Sequence, residues 1–262
     1  MTRVIAVANQ KGGVGKTTTA INLAAGIALS GHATLLVDID PQGNATSGVG
    51  LKQRATESGS VYDALMADDP ARAGHYVIPS GVERLSLVPA TRELTGAELE
   101  LISVPNRERR LKQFIDAVKD RFEFVVIDCP PSLGLLTLNG LVAADTVLIP
   151  LHCEYFALEG LADLVGTMRR VRAAYNPALE IEGVLLTMYD ERTNLGQQVA
   201  RDVREFFKDK VFRTVIPRNV RLGEAPSHGV PGVVYDARSR GAEAYFALAH
   251  EVITRGYDQT AA

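Results

Sequence analysis

Residues 11–18 read Lys11-Gly12-Gly13-Val14-Gly15-Lys16-Thr17-Thr18, between an apolar, strand-like run at 4–8 and a helix-like run at 17–29. Glycines let a backbone curl until its N–H groups point at a polyphosphate, and the helix that follows adds its positive N-terminal end. The stretch therefore predicts a phosphate-binding loop made of all eight residues. In such a loop Lys16 contacts the β- and γ-phosphates, and the Thr17 hydroxyl binds Mg²⁺.

The loop departs from the common pattern at its start. That pattern places a glycine six residues before the phosphate-binding lysine, where this chain has Gln10. The chain also carries a second lysine, Lys11, at the beginning of the loop. The additional lysine is the more informative departure.

Two other apolar runs end in aspartates. Asp128 follows the run at 124–127, and Asp38 and Asp40 close the run at 35–37. Ligands bind at the carboxyl edge of parallel strands, so Asp128 is predicted to hold Mg²⁺ directly or through a water. Acids two residues apart on an extended chain point to the same side, so Asp40 could orient or deprotonate a water while Asp38 supports the metal shell. The alternative is an acidic strand end that only caps a loop.

Short Val-, Ile- and Leu-rich runs alternate with longer helical stretches along the chain. Continuous apolar runs predict strands that are buried on both faces, and the alternation favours an α/β fold with a mostly parallel, twisted sheet covered by helices on both faces. Strands are predicted at about 3–8, 33–38, 85–89, 123–128, 145–150, 181–187 and 211–215. Helices are predicted at about 16–30, 107–121, 158–175, 195–208 and 241–255, and a loop over the site at about 43–60.

Length and composition limit the class of protein. The 262 residues are interpreted as a single domain over 1–257 and a tail at 258–262 that frays. The net charge of −3 means that any nucleic-acid binding needs a local basic patch. Two cysteines, Cys129 and Cys153, favour a reducing cytoplasm over a disulfide framework. Neither a signal peptide nor a stretch long enough to span a bilayer is expected.

Several motifs together resemble the ParA/Soj family of chromosome- and plasmid-partitioning ATPases, which carry a deviant Walker A loop. The likeness is closest to the bacterial chromosomal form and spans nearly the whole chain. It is carried by residues 11–18, by Asp-Ile-Asp-Pro-Gln-Gly-Asn at 38–44, by Val-Ile-Asp-Cys-Pro-Pro-Ser-Leu-Gly at 126–134, and by the segments 153–160, 183–196, 215–221, 224–229 and 238–242. A helix-turn-helix region of the kind found in larger plasmid members is not expected.

The resemblance implies an ATP-dependent homodimer. Two subunits would sandwich two ATP molecules with Mg²⁺, and Lys11 of each subunit would reach across to the other's phosphates. Gly12 would lie at the subunit contact, where a side chain would separate the two backbones. Pro217, Arg218 and Asn219 resemble the segment that contacts adenine.

The resemblance also implies non-specific binding to double-stranded DNA on the nucleoid, with Arg192 and Arg221 at DNA-contacting positions. From charge alone, the basic excess at 201–221 fits a solvated helix face equally well. A ParB/Spo0J-like centromere-binding partner would stimulate hydrolysis and so release the DNA. The replication initiator is a second implied partner.

Two rival functions share this scaffold. A MinD-like membrane-associated division-site ATPase needs a C-terminal amphipathic helix with a basic face, which the residues after 247 do not provide, so no membrane partner is expected. A metabolic enzyme would need a second substrate pocket. His152, Cys153 and Glu154 are adjacent metal-ligand types, but neighbours on an extended chain point to opposite faces and cannot easily share one ion.

Overall fold

A single seven-stranded sheet organises the chain. The computed structural model describes residues 2–154 and 157–260. The strands are β1 (Arg3–Val7), β2 (Thr34–Asp38), β3 (Ile78–Pro79), β4 (Leu85–Val88), β5 (Phe124–Asp128), β6 (Thr146–His152) and β7 (Glu180–Thr187). They lie in the order β3-β4-β2-β5-β1-β6-β7, and every neighbouring pair is parallel except β3 with β4.

Helices cover both faces of this sheet. They are α1 (Lys16–Leu29), α2 (Asn44–Gly48), α3 (Ala55–Ser58), α4 (Val61–Met66), α5 (Leu94–Glu100), α6 (Arg110–Val118), α7 (Leu135–Ala143), α8 (Ala157–Ala174), α9 (Asn194–Phe207), α10 (Val220–Glu224), α11 (Gly232–Tyr235) and α12 (Arg240–Thr260). Within the described ranges, none of them is long and apolar enough to cross a membrane.

The strands are buried on both faces because successive side chains enter different cores. In β1, Val4 and Ala6 belong to the core beneath α6, α7 and α8, whereas Ile5 and Val7 belong to the core beneath α1 and α12. Every residue of β2 and β5 is buried. This two-sided burial is why the apolar runs are continuous, and it confirms the predicted α/β fold with a mostly parallel sheet.

The strand predicted at 211–215 is wrong. The segment makes one isolated bridge to β7, between Val211 and Val184. Phe212 N–H donates to the Val184 carbonyl, and Ile216 N–H, just after the segment, donates to the Leu186 carbonyl. Between them, the N–H groups of Arg213 and Thr214 donate to the Glu251 carboxylate on α12, at 2.9 and 3.0 Å. The Glu251 carboxylate therefore accepts from backbone N–H groups that a continuous strand would use to pair with β7.

Other predictions differ in detail. The loop expected at 43–60 contains the short helices α2 and α3. The sequence analysis did not predict β3 or the helices α4, α5, α7, α10 and α11. Helix α7 is apolar around most of its circumference, so it lacks the period that identifies a surface helix. The backbone at 258–260, expected to fray, continues α12, and the last two residues of that tail lie outside the described residues.

Candidate active site

The stretch 11–18 forms a tight loop between the end of β1 and the start of α1. Gly13 and Gly15 adopt left-handed backbone conformations, with φ of 72° and 85°, which side chains with a Cβ rarely adopt. The Lys16 ammonium folds back and donates to the Lys11 carbonyl at 2.9 Å. Burial lowers the pKa of Lys16, and the negative charges of Asp128 and Asp40 oppose that shift. The loop thus holds a buried cation beside two carboxylates.

Two side chains from outside the motif fix the shape of the loop. Asn9 donates to the Pro150 carbonyl in β6 at 2.7 Å and accepts from Lys11 N–H at 3.0 Å. Thr187, the last residue of β7, donates to the Val14 carbonyl at 2.8 Å. The sequence analysis missed Asn9 and Thr187, because only the parallel sheet brings the ends of β1, β6 and β7 to one edge.

Asp128 lies beside this loop in the adjoining strand. The register pairs it with Val7 of β1 and with Asp38 of β2. Among the described residues, both of its carboxylate oxygens are buried without a hydrogen-bond partner. Burial, and then the nearby charge of Asp38, raise the pKa of Asp128 well above its usual range, while the Thr17 hydroxyl and Lys16 act in the opposite direction. Two orphaned buried oxygens next to Thr17 are what a cation or its water shell would satisfy.

The side chains available as ligands also limit how Mg²⁺ could be bound at this site. Nowhere in the described ranges do three or more His, Cys, Asp or Glu side chains converge as a metal site. A Mg²⁺ ion at Asp128 would therefore take most of its ligands from phosphate oxygens and waters, which is the usual arrangement for Mg²⁺ in phosphoryl-transfer sites.

Asp38 has a different environment from Asp128. Its Oδ2 accepts hydrogen bonds from Thr46 N–H at 2.8 Å and from the Thr46 hydroxyl at 2.7 Å, and its Oδ1 accepts from Asp40 N–H at 3.2 Å. Burial raises the pKa of Asp38 to about 6, and these hydrogen bonds oppose the rise. The carboxylate is thus engaged by its own chain, and the structure does not bring it to the loop as an open metal ligand.

Asp40 lies in the turn that follows β2. Its carboxylate accepts from Gln42 N–H at 3.0 Å, and its carbonyl accepts from Gly43 N–H at 2.9 Å. The side chain is buried and close enough to Lys16 to act on the pKa of that lysine. The structure therefore brings Lys16, Asp40 and Asp128 together at the carboxyl edge of the sheet, as predicted from the strand ends.

Lys11 does not point into the loop. Its ammonium donates to Glu154 Oε2 at 2.6 Å, and Glu154 Oε1 contacts His152 Nδ1 at 2.8 Å. The hydrogen bond from Lys11 lowers the pKa of Glu154, with a smaller contribution from His152. Sequence analysis considered Glu154 only as a metal-ligand type, and nothing in its spacing indicated that it pairs with Lys11.

A cavity of about 250 Å³ adjoins the loop. Pro217, Arg218 and Asn219 line it together with Gly15 and Thr18 of the loop. An isolated bridge between Tyr189 and Pro217 holds this wall beside the end of β7. The remaining lining residues are Thr187, Met188, Ile216, Leu222, Gly223 and Tyr245, none of which the sequence analysis proposed as a site residue.

The comparisons with known proteins agree with this geometry. A family model described as an AAA domain matches residues 2–181. The sporulation initiation inhibitor protein Soj of Bacillus subtilis is 56% identical over 98% of this chain and 100% of its own length. The chromosome partitioning protein ParA of Myxococcus xanthus is 53% identical over 97% of this chain and 88% of its own length. The chain belongs to the ParA/Soj family of chromosome-partitioning ATPases. The resemblance read from the motifs, and the ATP hydrolase activity that it implied, are confirmed at this level.

A solved structure extends the ParA/Soj family comparison to three dimensions. The cobyrinic acid a,c-diamide synthase of Mycobacterium smegmatis, solved with an ATP analogue and magnesium, superposes with a TM-score of 0.84. It is 37% identical, and the match covers 97% of this chain and 94% of that one. The same scaffold thus occurs in a protein named for a metabolic reaction.

In this member of the ParA/Soj family, the two arginines predicted at the DNA surface are ion-paired within the chain. Arg192 forms two hydrogen bonds to the Asp190 carboxylate, at 2.9 and 2.7 Å, and these hold the pKa of Asp190 well below its usual range. Arg221 contacts Glu224 at 2.8 Å and Asp236 at 3.5 Å. Both guanidinium groups remain exposed, so polyanion phosphates could reach them only in competition with these carboxylates.

Proposed function

We propose that this protein is an ATP-driven switch for DNA partitioning. In this proposal, MgATP joins two subunits, the dimer binds double-stranded DNA without sequence preference, and hydrolysis releases it. The observation that carries the proposal is the pair of orphaned Asp128 oxygens beside Lys16 and Thr17, because a magnesium-bound triphosphate satisfies all of these groups at once.

Each residue then has a role in the ATP site. The N–H groups of residues 12–18 and the Lys16 ammonium hold the phosphates, while Thr17 and Asp128 hold Mg²⁺. Asp40 orients or deprotonates the attacking water. Pro217, Arg218 and Asn219 form one wall for the adenine. Bound Mg²⁺ would neutralise charge on the β- and γ-phosphates.

Lys11 supports the dimeric part of the proposal. Its ammonium is paired with Glu154 and does not point at the phosphate site of its own chain. A partner subunit placed across the loop would offer phosphates to it, and the second cation would neutralise the transferring group. Among the described residues, no atom beyond its chain neighbours lies within 4 Å of the position of a Cβ at Gly12, which leaves room for a close approach by a second backbone.

DNA binding and partner control complete the proposal. Arg192 and Arg221 contact phosphates in the dimer, where two copies of each weak site act together. A ParB/Spo0J-like centromere-binding protein stimulates hydrolysis, and the replication initiator is a further partner. The dimer therefore resides on the nucleoid, and the nucleotide controls DNA affinity without contacting DNA.

The proposal is tested by measuring mass and DNA binding together. Light scattering after size exclusion, with Mg²⁺ and a non-hydrolysable ATP analogue, should give a dimer for the wild type and a monomer for Lys11→Ala. Only the dimer should retard duplex DNA. A monomeric wild type under these conditions, or duplex binding that is equally tight without nucleotide, would refute the switch.

The metabolic alternative has one observation in its favour, the 37% identity to the diamide synthase. It predicts ATP turnover that needs a small acceptor molecule and ignores DNA. ATP turnover that rises with duplex DNA and needs no acceptor would exclude it.

The membrane alternative is less well supported. Buried side chains of α12, including Tyr245, Leu248, Ala249 and Val252, belong to the core that α1 completes, so this apolar face is already covered. Sedimentation with anionic liposomes and ATP should leave the protein in the supernatant.

A further inference from the structure

The Asp38 carboxylate joins the two ends of the segment that carries Asp40. Asp38 is the last residue of β2, a fully buried strand between β4 and β5. One of its oxygens accepts from Asp40 N–H, and the other accepts from the backbone and the hydroxyl of Thr46. The Asp38 carboxylate therefore binds both ends of the segment 39–46, and β2 fixes the position of that carboxylate.

Thr46 also links this closure to a third strand. Its hydroxyl oxygen accepts from Ala90 N–H at 2.9 Å, just beyond the end of β4, while its proton goes to Asp38. The Thr46 side chain is 1% exposed, and both hydrogen-bonding functions of its hydroxyl are used. Gly43, with φ of 61°, makes the reversal that returns the chain to Asp38.

Asp40 depends on this closure for its direction. Its carboxylate and carbonyl accept from Gln42 N–H and Gly43 N–H, and these hydrogen bonds shape the turn. The start of the turn is fixed to the sheet by Asp40 N–H, which donates to Asp38, and its end is fixed through Thr46. The Thr46–Asp38–Ala90 contacts connect that turn to the strand edge where Asp128 and Lys16 lie. Removing the hydroxyl would keep the Thr46 N–H bond to Asp38 but lose the hydroxyl's contacts with Asp38 and Ala90. We expect the loosened turn to misplace the Asp40 carboxylate, which must meet a water.

We propose that Thr46 is a positioning residue for ATP hydrolysis: through the Asp38 carboxylate and Ala90, it holds the turn that aims Asp40 at the attacking water. The inference rests on the proposed function and adds one residue to it. It also reassigns Asp38 from the metal shell to the support of Asp40, because its oxygens are already engaged by Thr46 and Asp40.

The test separates positioning from binding. Thr46→Val removes the hydroxyl and keeps the shape, and Thr46→Ser restores the hydroxyl. For Thr46→Val we expect kcat to fall roughly 10- to 100-fold, with KM for ATP within about twofold of the wild type and ATP-dependent dimerisation intact. Thr46→Ser should return kcat to within about threefold of the wild type.

A matched control is Thr34, the first residue of β2, the strand that ends in Asp38. Thr34 is also buried, and its hydroxyl donates to the His32 carbonyl at 2.9 Å. Thr34→Val removes an equivalent buried hydroxyl far from Asp40, and kcat should stay within about twofold of the wild type. An equal loss in both Val variants would assign the effect to stability and overturn the proposal.

Other outcomes are also decisive. Wild-type kcat in Thr46→Val, or a rise in KM that accounts for the whole loss, would overturn the positioning role. If Thr46→Val does not fold, Thr46→Ala carries the same expectation. If neither folds, a tenfold loss in Thr46→Ser would still refute the role of the hydroxyl. Failure of the wild type itself to hydrolyse ATP would refute the proposed function instead.

Discussion

Three aspartates of the active site have the same side chain and three different environments. Asp128 is buried with both oxygens free among the described residues, Asp38 is buried with its oxygens engaged by Thr46 and Asp40, and Asp40 shapes a local turn. The difference comes from which N–H and hydroxyl groups face each carboxylate. Of these three, Asp128 is the aspartate whose oxygens find no hydrogen-bond partner in the part of the chain that the structure describes, so a ligand from outside the chain would satisfy them.

At the residue scale, Asp40 is expected to act on turnover alone. Asp40→Ala should keep ATP binding and the dimer, because the phosphate loop and Lys11 are unchanged, and should slow hydrolysis by about 10²- to 10⁴-fold. Single-turnover hydrolysis and size exclusion with ATP give both readouts. The dimer should then persist on DNA, and normal hydrolysis by this variant would remove Asp40 from the mechanism.

The raised pKa of Asp38 predicts a pH dependence of stability. Burial raises that pKa to about 6 in the folded protein, from about 3.9 in an unfolded chain. Between these values the folded state binds more protons than the unfolded state. The free energy of unfolding therefore falls as the pH rises from about 4 to about 6.

Denaturant titrations without nucleotide, across that pH window, would measure this contribution. In Asp38→Asn, the free energy of unfolding should fall less over this pH window than it does in the wild type. Asp209→Asn changes an exposed carboxylate outside the site and serves as the control, with a profile that follows the wild type. Parallel profiles for the wild type and Asp38→Asn would contradict the assignment.

The Lys11–Glu154 pair predicts a gain of dimerisation. The ion pair must break before Lys11 can reach a partner's phosphates, and a half-exposed pair of this kind stabilises the closed arrangement only weakly. Glu154→Gln should therefore strengthen ATP-dependent dimerisation by at most about fivefold. Sedimentation equilibrium with the ATP analogue would measure it, and Lys11→Ala should abolish the dimer. A weaker dimer in Glu154→Gln would show that the glutamate has another role there.

At the scale of elements, close packing of the segment 210–212 on β7 leaves no room for a side chain at Gly183. A Cβ at this position would lie 2.6 and 2.9 Å from the Phe212 ring and 3.0 Å from the Lys210 carbonyl. Gly183→Ala should lower the free energy of unfolding by about 1–3 kcal/mol, because the ring and the backbone must move apart.

A second glycine provides the control for this change. Apart from the adjoining backbone of α8, a Cβ at Gly166 in that helix would have no atom of the described residues within 4 Å. Gly166→Ala should therefore leave stability unchanged or raise it by up to about 1 kcal/mol, since alanine favours a helix. Urea unfolding of both variants would decide. Equal effects would mean that the contact with Phe212 has no energetic weight.

At the scale of the whole molecule, a net charge of −3 implies weak binding of DNA by one subunit. The dimer doubles each cationic contact, so its affinity for duplex DNA should fall linearly with salt on a logarithmic scale. Arg192→Glu or Arg221→Glu should weaken binding and reduce the slope by about 2, one contact from each subunit. Filter binding at several salt concentrations would measure both quantities.

The charge control lies at the opposite edge of the sheet. Arg121 precedes β5, at the amino ends of the strands, and Arg121→Glu makes the same change of charge away from the site. The affinity of Arg121→Glu for duplex DNA should stay closer to that of the wild type than the affinities of Arg192→Glu and Arg221→Glu do. ATP-dependent dimerisation should survive in all three variants, and its loss together with DNA binding would count against the assigned DNA surface.

Much of the fold was predictable because its signals are local. Strands buried on both faces require continuous apolar runs, so β1, β2 and β5 could be read directly, and glycines with a following lysine identified the loop. Elements without a local period, such as α7 and the two-residue β3, could not be read. The segment 211–215 has strand-like residues, but Glu251 takes its N–H groups.

The sequence by itself determined the sheet, the phosphate loop and the aspartates at its edge, because each depends on neighbours along the chain. Only the tertiary structure decided which aspartate is free, which lysine is paired, and which distant side chains hold the loop. Asn9, Thr46, Glu154 and Thr187 act on partners contributed by other elements. A hydrogen bond depends on distances of about 3 Å in space, and separation along the chain does not reveal them.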